Sequence, residues 1–157
     1  MNRLNGMTIL LTGGAGYIGS HACIELLNNG CNIVVIDNLS NSCITALERV
    51  AVITNKSLST NPSDATDIIF YEADIRDQNV LHDIFTSHNI DAVIHFAGLK
   101  AVGDSVSQPL EYYSNNVLGS ITLFQKMAEA EVKTIASSYT LTDGPDNNGD
   151  MYEREAI

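Results

Sequence analysis

Basic residues are scarce in this sequence, and their scarcity limits what the protein can bind. The 157 residues include 8 Lys and Arg against 19 Asp and Glu, which gives a formal net charge of −11 at pH 7. Nucleic acids and anionic membranes attract proteins over long range through basic patches. The composition therefore argues against both kinds of partner and is typical of one acidic globular domain.

Cysteine is also rare, and long apolar runs are missing. Cys23, Cys31 and Cys43 form no C-x-x-C pair and are odd in number, so we expect a reducing cytoplasm rather than a disulfide framework. The first residues, MNRLNG, contain no apolar signal core, and the longest apolar runs have the length of strands. No metal site is predicted, because none of the histidines has metal-ligand spacing: His21, His82, His88 and His95.

Short apolar runs alternate with segments of helical periodicity, as is typical of βαβ units that build a parallel sheet. We expect strands at residues 7–12, 32–37, 68–74, 91–98 and 132–137. We expect helices at residues 17–29, 44–53, 78–88 and 110–131, and a polar loop at residues 54–67. The predicted fold class is α/β, a Rossmann-like doubly wound parallel sheet that is truncated after about five strands.

The composition changes at residue 138. Residues 138–157 hold five acids against one arginine, a turn signal at DGPDNNGD and no sustained apolar period. Such a segment can bury little apolar surface. We therefore expect a folded domain at residues 1–137 and a loose acidic tail at residues 138–157.

Gly13, Gly16 and Gly19 lie between the first predicted strand and the first predicted helix. At this point an open parallel sheet binds the pyrophosphate of a dinucleotide. The first glycine permits a tight turn, the second lets the phosphate approach the backbone, and the third lets the helix pack closely. Unpaired N–H groups at the helix start then hold the anion. The loop predicts a dinucleotide site; the alternative is a structural turn without a ligand.

Asp37 ends the second predicted strand. A carboxylate at this place can accept hydrogen bonds from both hydroxyls of the adenosine ribose, and its charge repels a 2′-phosphate. No Arg or Lys follows within DNLSNSCITA that could bind that phosphate. NAD is therefore favoured over NADP, unless Asp37 is an ordinary turn residue.

Several motifs resemble the N-terminal half of the UDP-glucose 4-epimerases, a family of the extended short-chain dehydrogenase/reductase superfamily. They are TGGAGYIGSH, DNLSNS, ADIRD, HFAGLKAVGDSV and PLEYYSNNVLG. The resemblance implies that residues 1–137 form a NAD-binding domain, with NAD lying across the strand ends of a parallel sheet. Besides the three glycines and Asp37, it implies these NAD contacts: Tyr17, Ile18, Asn38, Asn41, Ser42, Asp74, Ile75, Phe96, Ala97, Gly98, Lys100 and Asn115.

The resemblance also places parts of the cofactor. Asp37 and Asn38 would hold the adenosine ribose, and Asp74 and Ile75 would flank the adenine. Lys100 would reach the phosphates or a ribose; without the resemblance, the alternative is an ordinary surface lysine.

The reaction that the resemblance implies requires a tyrosine and a lysine that this sequence does not pair. In the family, a tyrosinate takes a proton from the sugar 4-hydroxyl while hydride passes from C4 to NAD, and hydride then returns to the other face of the 4-keto sugar. None of the 6 tyrosines is followed by lysine at the fourth position, and we expect no counterpart of the family's substrate domain within these residues. No catalytic residue is therefore predicted, and the chain alone is expected to be inactive.

Two other interpretations stay open. The chain could be a catalytically silent NAD-binding module, or part of another nucleotide-sugar dehydratase or reductase of the superfamily. HFAGLKAVGDSV favours the epimerases over the dehydratases and reductases. For an epimerase, the resemblance implies a UDP-sugar substrate in galactose metabolism and a homodimer, of whose interface this chain carries half.

Overall fold

Strands and helices alternate in the computed structural model, which describes residues 4–137, 140–142 and 153–155. The strands are β1 (Thr8–Thr12), β2 (Asn32–Asp37), β3 (Leu58–Ser59), β4 (Ile68–Glu72), β5 (Ala92–His95), β6 (Ile135–Ser137), β7 (Thr140–Thr142) and β8 (Glu153–Glu155). The α-helices are α1 (Tyr17–Asn28), α2 (Thr45–Thr54), α3 (Gln78–Ser87), α4 (Val102–Ser107), α5 (Pro109–Tyr112) and α6 (Gly119–Glu129). A π-helical segment, Tyr113–Leu118, joins α5 to α6.

The main sheet has six parallel strands in the order β3–β4–β2–β1–β5–β6. β1 lies at its centre and ends at Thr12, which is in register with Ile36 of β2 and His95 of β5. The chain thus builds one side of the sheet first and then crosses to the other side of β1. This confirms the predicted α/β class with a doubly wound parallel sheet.

Alternate residues of the strands pack on opposite faces of the sheet, as the two-residue period of a strand requires. Leu11 and Val35 pack with α1 and α2 on one face. Leu10 and Val34 pack with α3 and α6 on the other. Since both faces are covered, the central strands are apolar throughout rather than alternating.

The structure corrects the predicted elements at several points. The loop at residues 54–67 contains the short edge strand β3, which raises the number of strands in the sheet from five to six. The predicted strands at 68–74 and 91–98 end earlier, at Glu72 and His95. The helix predicted at 110–131 is divided into α5, the π-helical segment and α6, and the sequence did not indicate α4.

β7 and β8 pair antiparallel and form a separate two-stranded sheet. The other residues of the predicted acidic tail lie outside the described part of the chain, so the boundary at residue 138 stays a prediction. Within the described residues, every helix is too short or too polar to traverse a lipid bilayer.

Candidate functional site

A cavity of about 420 Å³ opens at the carboxyl ends of β1, β2 and β5. The crossover helix α1 packs on one face of the sheet and α3 on the other, so the winding direction reverses beside β1. Ligands of open α/β sheets bind at such a switch point.

Most of the residues proposed from the sequence meet in this cavity. Those that line it are Gly13, Gly16, Tyr17, Ile18, Gly19, Asp37, Asn38, Asn41, Ile75, Phe96, Ala97, Gly98, Lys100 and Asn115. Ser42 and Asp74 are not in the lining, although each touches a residue that is. The lining also includes residues that the sequence analysis did not name: Ile36, Ser40, Ala73, Leu99 and Ala101. Each of these residues is next in sequence to a predicted NAD contact, and that adjacency is the sequence signal that could have identified it.

The three glycines of the first turn differ in what surrounds them. Gly13 has φ +69°, and a Cβ there would lie 2.7 Å from the backbone nitrogen of Ala97. A Cβ on Gly19 would lie 2.4 Å from the carbonyl oxygen of Gly13. Gly16 has an ordinary φ of −72°, and its Cβ would meet only the Gly13 oxygen, at 3.3 Å. The fold itself therefore requires glycine at Gly13 and Gly19, but much less so at Gly16.

The carboxylate of Asp37 is fixed in one orientation by three donors. Its Oδ2 accepts the N–H of Ala15 at 3.0 Å, and its Oδ1 accepts the N–H of Leu39 at 3.0 Å and the hydroxyl of Ser42 at 2.8 Å. The residue is 7 % exposed and lies on the cavity wall. Ser42 thus acts on the cavity through Asp37, and the carboxylate connects the end of β2 to the glycine turn.

Asp74 and Arg76 together connect the cavity wall to α5 and the π-helical segment. Arg76 donates from Nε to Oδ1 at 2.9 Å and from Nη2 to Oδ2 at 2.7 Å, and Asn38 donates to Oδ2 at 3.1 Å. The Arg76 guanidinium holds the pKa of this carboxyl at about 2, below its usual value of 3.8. Arg76 also donates to Glu111 and Ser114. Asp74 therefore fixes the wall beside Ile75, and its contact with adenine stays a prediction.

A buried polar chain supports the cavity floor. The Nδ1 of His95 bonds to the Thr12 hydroxyl at 2.5 Å, and its Nε2 bonds to the Ser120 hydroxyl at 3.1 Å. The N–H of Ala97 donates to the same Thr12 oxygen at 3.3 Å. Burial lowers the pKa of His95 to about 4, so the ring is neutral at pH 7. This chain links β1, β5 and α6 beneath the loop that carries Lys100.

The cavity offers an anion site at one point and charged side chains at two others. The N-terminus of α1 presents backbone N–H groups at the glycine turn, the Asp37 carboxylate lies at the end of β2, and Lys100 lies beyond β5. Within the described residues, no three His, Cys, Asp or Glu side chains come together as a metal site. The arrangement suits an elongated ligand with a phosphate group near its middle and a hydroxylated ring at one end.

Comparisons with known proteins agree with this geometry. Residues 9–152 match the family model described as the NAD dependent epimerase/dehydratase family. The UDP-glucose 4-epimerase of Bacillus subtilis is 53 % identical over 136 residues, which are 87 % of this chain and 37 % of the relative's length. The chain therefore spans little more than a third of that relative.

Two solved structures of UDP-glucose 4-epimerases are also similar to this chain. The UDP-glucose 4-epimerase of Bifidobacterium longum, in complex with NAD+ and UDP, matches with a TM-score of 0.78 and 44 % identity, over 86 % of this chain and 37 % of that one. The enzyme from Stenotrophomonas maltophila, with bound NAD and formylated UDP-arabinopyranose, matches with a TM-score of 0.77 and 43 % identity, over the same shares of the two chains.

Proposed function

Since this chain belongs to the NAD-dependent epimerase/dehydratase family, we propose that it binds NAD in the cavity beside β1, as the cofactor-binding portion of a UDP-glucose 4-epimerase. The role in galactose metabolism, the UDP-sugar substrate and a homodimeric assembly are part of this proposal. NAD and UDP compounds in the related solved structures support the ligand classes.

The proposal rests on the presence of glycine at position 16, where the fold does not require it. The backbone conformation of Gly16 suits any residue, and the protein leaves nearly enough space for a side chain, yet the sequence has glycine there. A ligand that must approach the backbone accounts for this choice. The N-terminus of α1 would hold the pyrophosphate, Asp37 would bind the adenosine ribose, and NAD when bound would supply the hydride acceptor.

Isothermal calorimetry of NAD with the purified chain tests the proposal. We expect Gly16→Ala to keep the melting temperature but to weaken NAD binding about tenfold or more, because a methyl group displaces the pyrophosphate from its charge-assisted hydrogen bonds. We expect NADP to bind at least about tenfold more weakly than NAD, since the Asp37 carboxylate repels the 2′-phosphate. Gly103→Ala is the matched control, because a Cβ on Gly103 meets nothing within 4 Å.

Equal NAD affinity in the wild-type chain and Gly16→Ala would contradict the proposed site. Asp37→Ala is a poorer test, because it also removes the acceptor for the Ala15 N–H inside the glycine turn. A loss of binding in that variant would not separate the ribose contact from the shape of the turn.

We further propose that these 157 residues do not epimerise UDP-galactose by themselves. The motif Tyr-x-x-x-Lys is missing from the sequence, and an unassisted tyrosine, whose reference pKa is about 10, stays protonated at neutral pH and cannot take the proton. A coupled assay for UDP-glucose with the NAD-saturated chain should give no rate above the enzyme-free control. A steady rate that scales with chain concentration would refute this.

A further inference from the structure

Lys100 lies between two residues whose backbone is held by side chains from the following helical segment. Asn116 accepts the N–H of Leu99 at its Oδ1 and donates from Nδ2 to the Leu99 carbonyl, both at 2.9 Å. The hydroxyl of Tyr112 donates to the Ala101 carbonyl at 2.8 Å. Both flanks of Lys100 are therefore fixed by side chains that come from outside its loop.

The π-helical segment brings two amides to this loop from consecutive positions. Asn115 donates to Asn116 at 2.9 Å and to the Ala97 carbonyl at 3.4 Å. The Ser120 hydroxyl donates to the backbone carbonyl of Asn116 at 2.5 Å and also contacts His95. Single π-helical turns are rare and often occur at functional sites. Here the wide turn places the Asn116 amide against the backbone of Leu99.

Core packing gives this stretch little other support. Lys100 and Ala101 are exposed, and the apolar side chains of the next helix, Val102 and Val106, are 77 % and 80 % exposed. Since apolar burial adds little here, the hydrogen bonds from Asn116 and Tyr112 constrain the backbone on both sides of Lys100.

We propose that Asn116 is a positioning residue for the cofactor: by holding the backbone of Leu99, it orients Lys100 toward the phosphates or ribose of NAD. The inference rests on the proposed function, since it concerns the same cavity. Asn116 does not line the cavity, so it acts through the loop. Tyr112 supports the same lysine from its other side.

A double-mutant cycle on NAD affinity tests this inference in the full chain. Lys100→Met should weaken NAD binding about ten- to hundredfold, because a charge-assisted contact is lost. Asn116→Leu should weaken it about tenfold, and Tyr112→Phe less, while neither should weaken NAD binding further once Lys100 is already replaced. Lys133→Met and Asn79→Leu, at exposed positions away from the cavity, are the matched controls.

AMP affinity separates a positioning role from a merely structural one. A variant that damages the fold of the cavity would also weaken AMP binding. AMP is expected to occupy the Asp37 end of the cavity, so Asn116→Leu should change AMP affinity by less than about twofold. Losses that multiply in the double variants, a parallel fall in AMP affinity, or unchanged NAD affinity in folded Asn116→Leu and Tyr112→Phe would each overturn the inference. If the folded wild-type chain does not bind NAD at all, the proposed function fails and this inference with it.

Discussion

Replacing Gly19 by alanine is expected to lower the free energy of unfolding by about 3 kcal/mol or more, because the new methyl group overpacks a rigid turn. The Cβ would lie 2.4 Å from the Gly13 oxygen and 2.6 Å from the Gly14 Cα. Both are backbone atoms, so no flexible side chain can move aside. Relief requires α1 to shift away from β1, which would also disturb the buried contacts of Cys23 and Leu27.

Helix propensity alone predicts the opposite sign for this substitution, since alanine is favoured over glycine inside a helix by about 1 kcal/mol. Gly103→Ala measures that contribution, because Gly103 lies in a helix with open space around it. Urea unfolding followed by circular dichroism should show Gly103→Ala as stable as the wild-type chain or slightly more so. Comparable stability of Gly19→Ala would mean that the turn and α1 do not pack as described.

Lowering the pH from about 6.5 to 4 is expected to remove about 3 kcal/mol of stability through His95 alone. Burial lowers its pKa to about 4 in the folded chain, against an ordinary value of 6.5. Between these values the unfolded chain binds a proton that the folded chain does not. The contribution is therefore fully present above the unfolded pKa and is lost as the pH falls through the window.

Urea midpoints measured from about pH 7 to pH 4 check this expectation. In His95→Gln the slope with pH should be much reduced, because a neutral amide replaces the titrating ring. His82→Gln, at an exposed position, is the matched control. His88, whose pKa is also lowered by burial, adds a contribution of the same sign. Asp67 and Asp74 have pKa values lowered from 3.8 to about 2, so the stability that these carboxylates contribute is lost only below about pH 4. An unchanged slope in His95→Gln would refute the assignment.

Local sequence signals predicted the parts of the fold that depend on local periodicity. The apolar runs of β1 and β2, the glycine turn and Asp37 at the end of β2 all follow from patterns within about 30 residues, the span of one βαβ unit. The sequence did not predict β3, because two residues in a polar loop carry no strand period. Their pairing with β4 is set by contacts across the loop, such as the hydroxyl of Ser57 donating to Asp67.

Tertiary contacts decided the rest of the candidate site. Residues 110–131 have the period of one continuous helix, so the sequence did not indicate the wide turn at Tyr113–Leu118, where Asn116 bonds to Leu99. No local pattern pointed to the buried role of His95, because its partners Thr12 and Ser120 are far from it in sequence. Such roles depend on which strands become neighbours.

The central position of β1 has a consequence for how the protein and its ligand depend on each other. Thr12 and His95, which meet beneath the cavity, are 83 residues apart in the chain, so the glycine turn acquires its opposite wall only after the second half of the chain has docked on β1. A dinucleotide that contacts both walls then links the two halves of the sheet. Because it binds the assembled state alone, the stability of the whole fold would rise with the concentration of NAD around it.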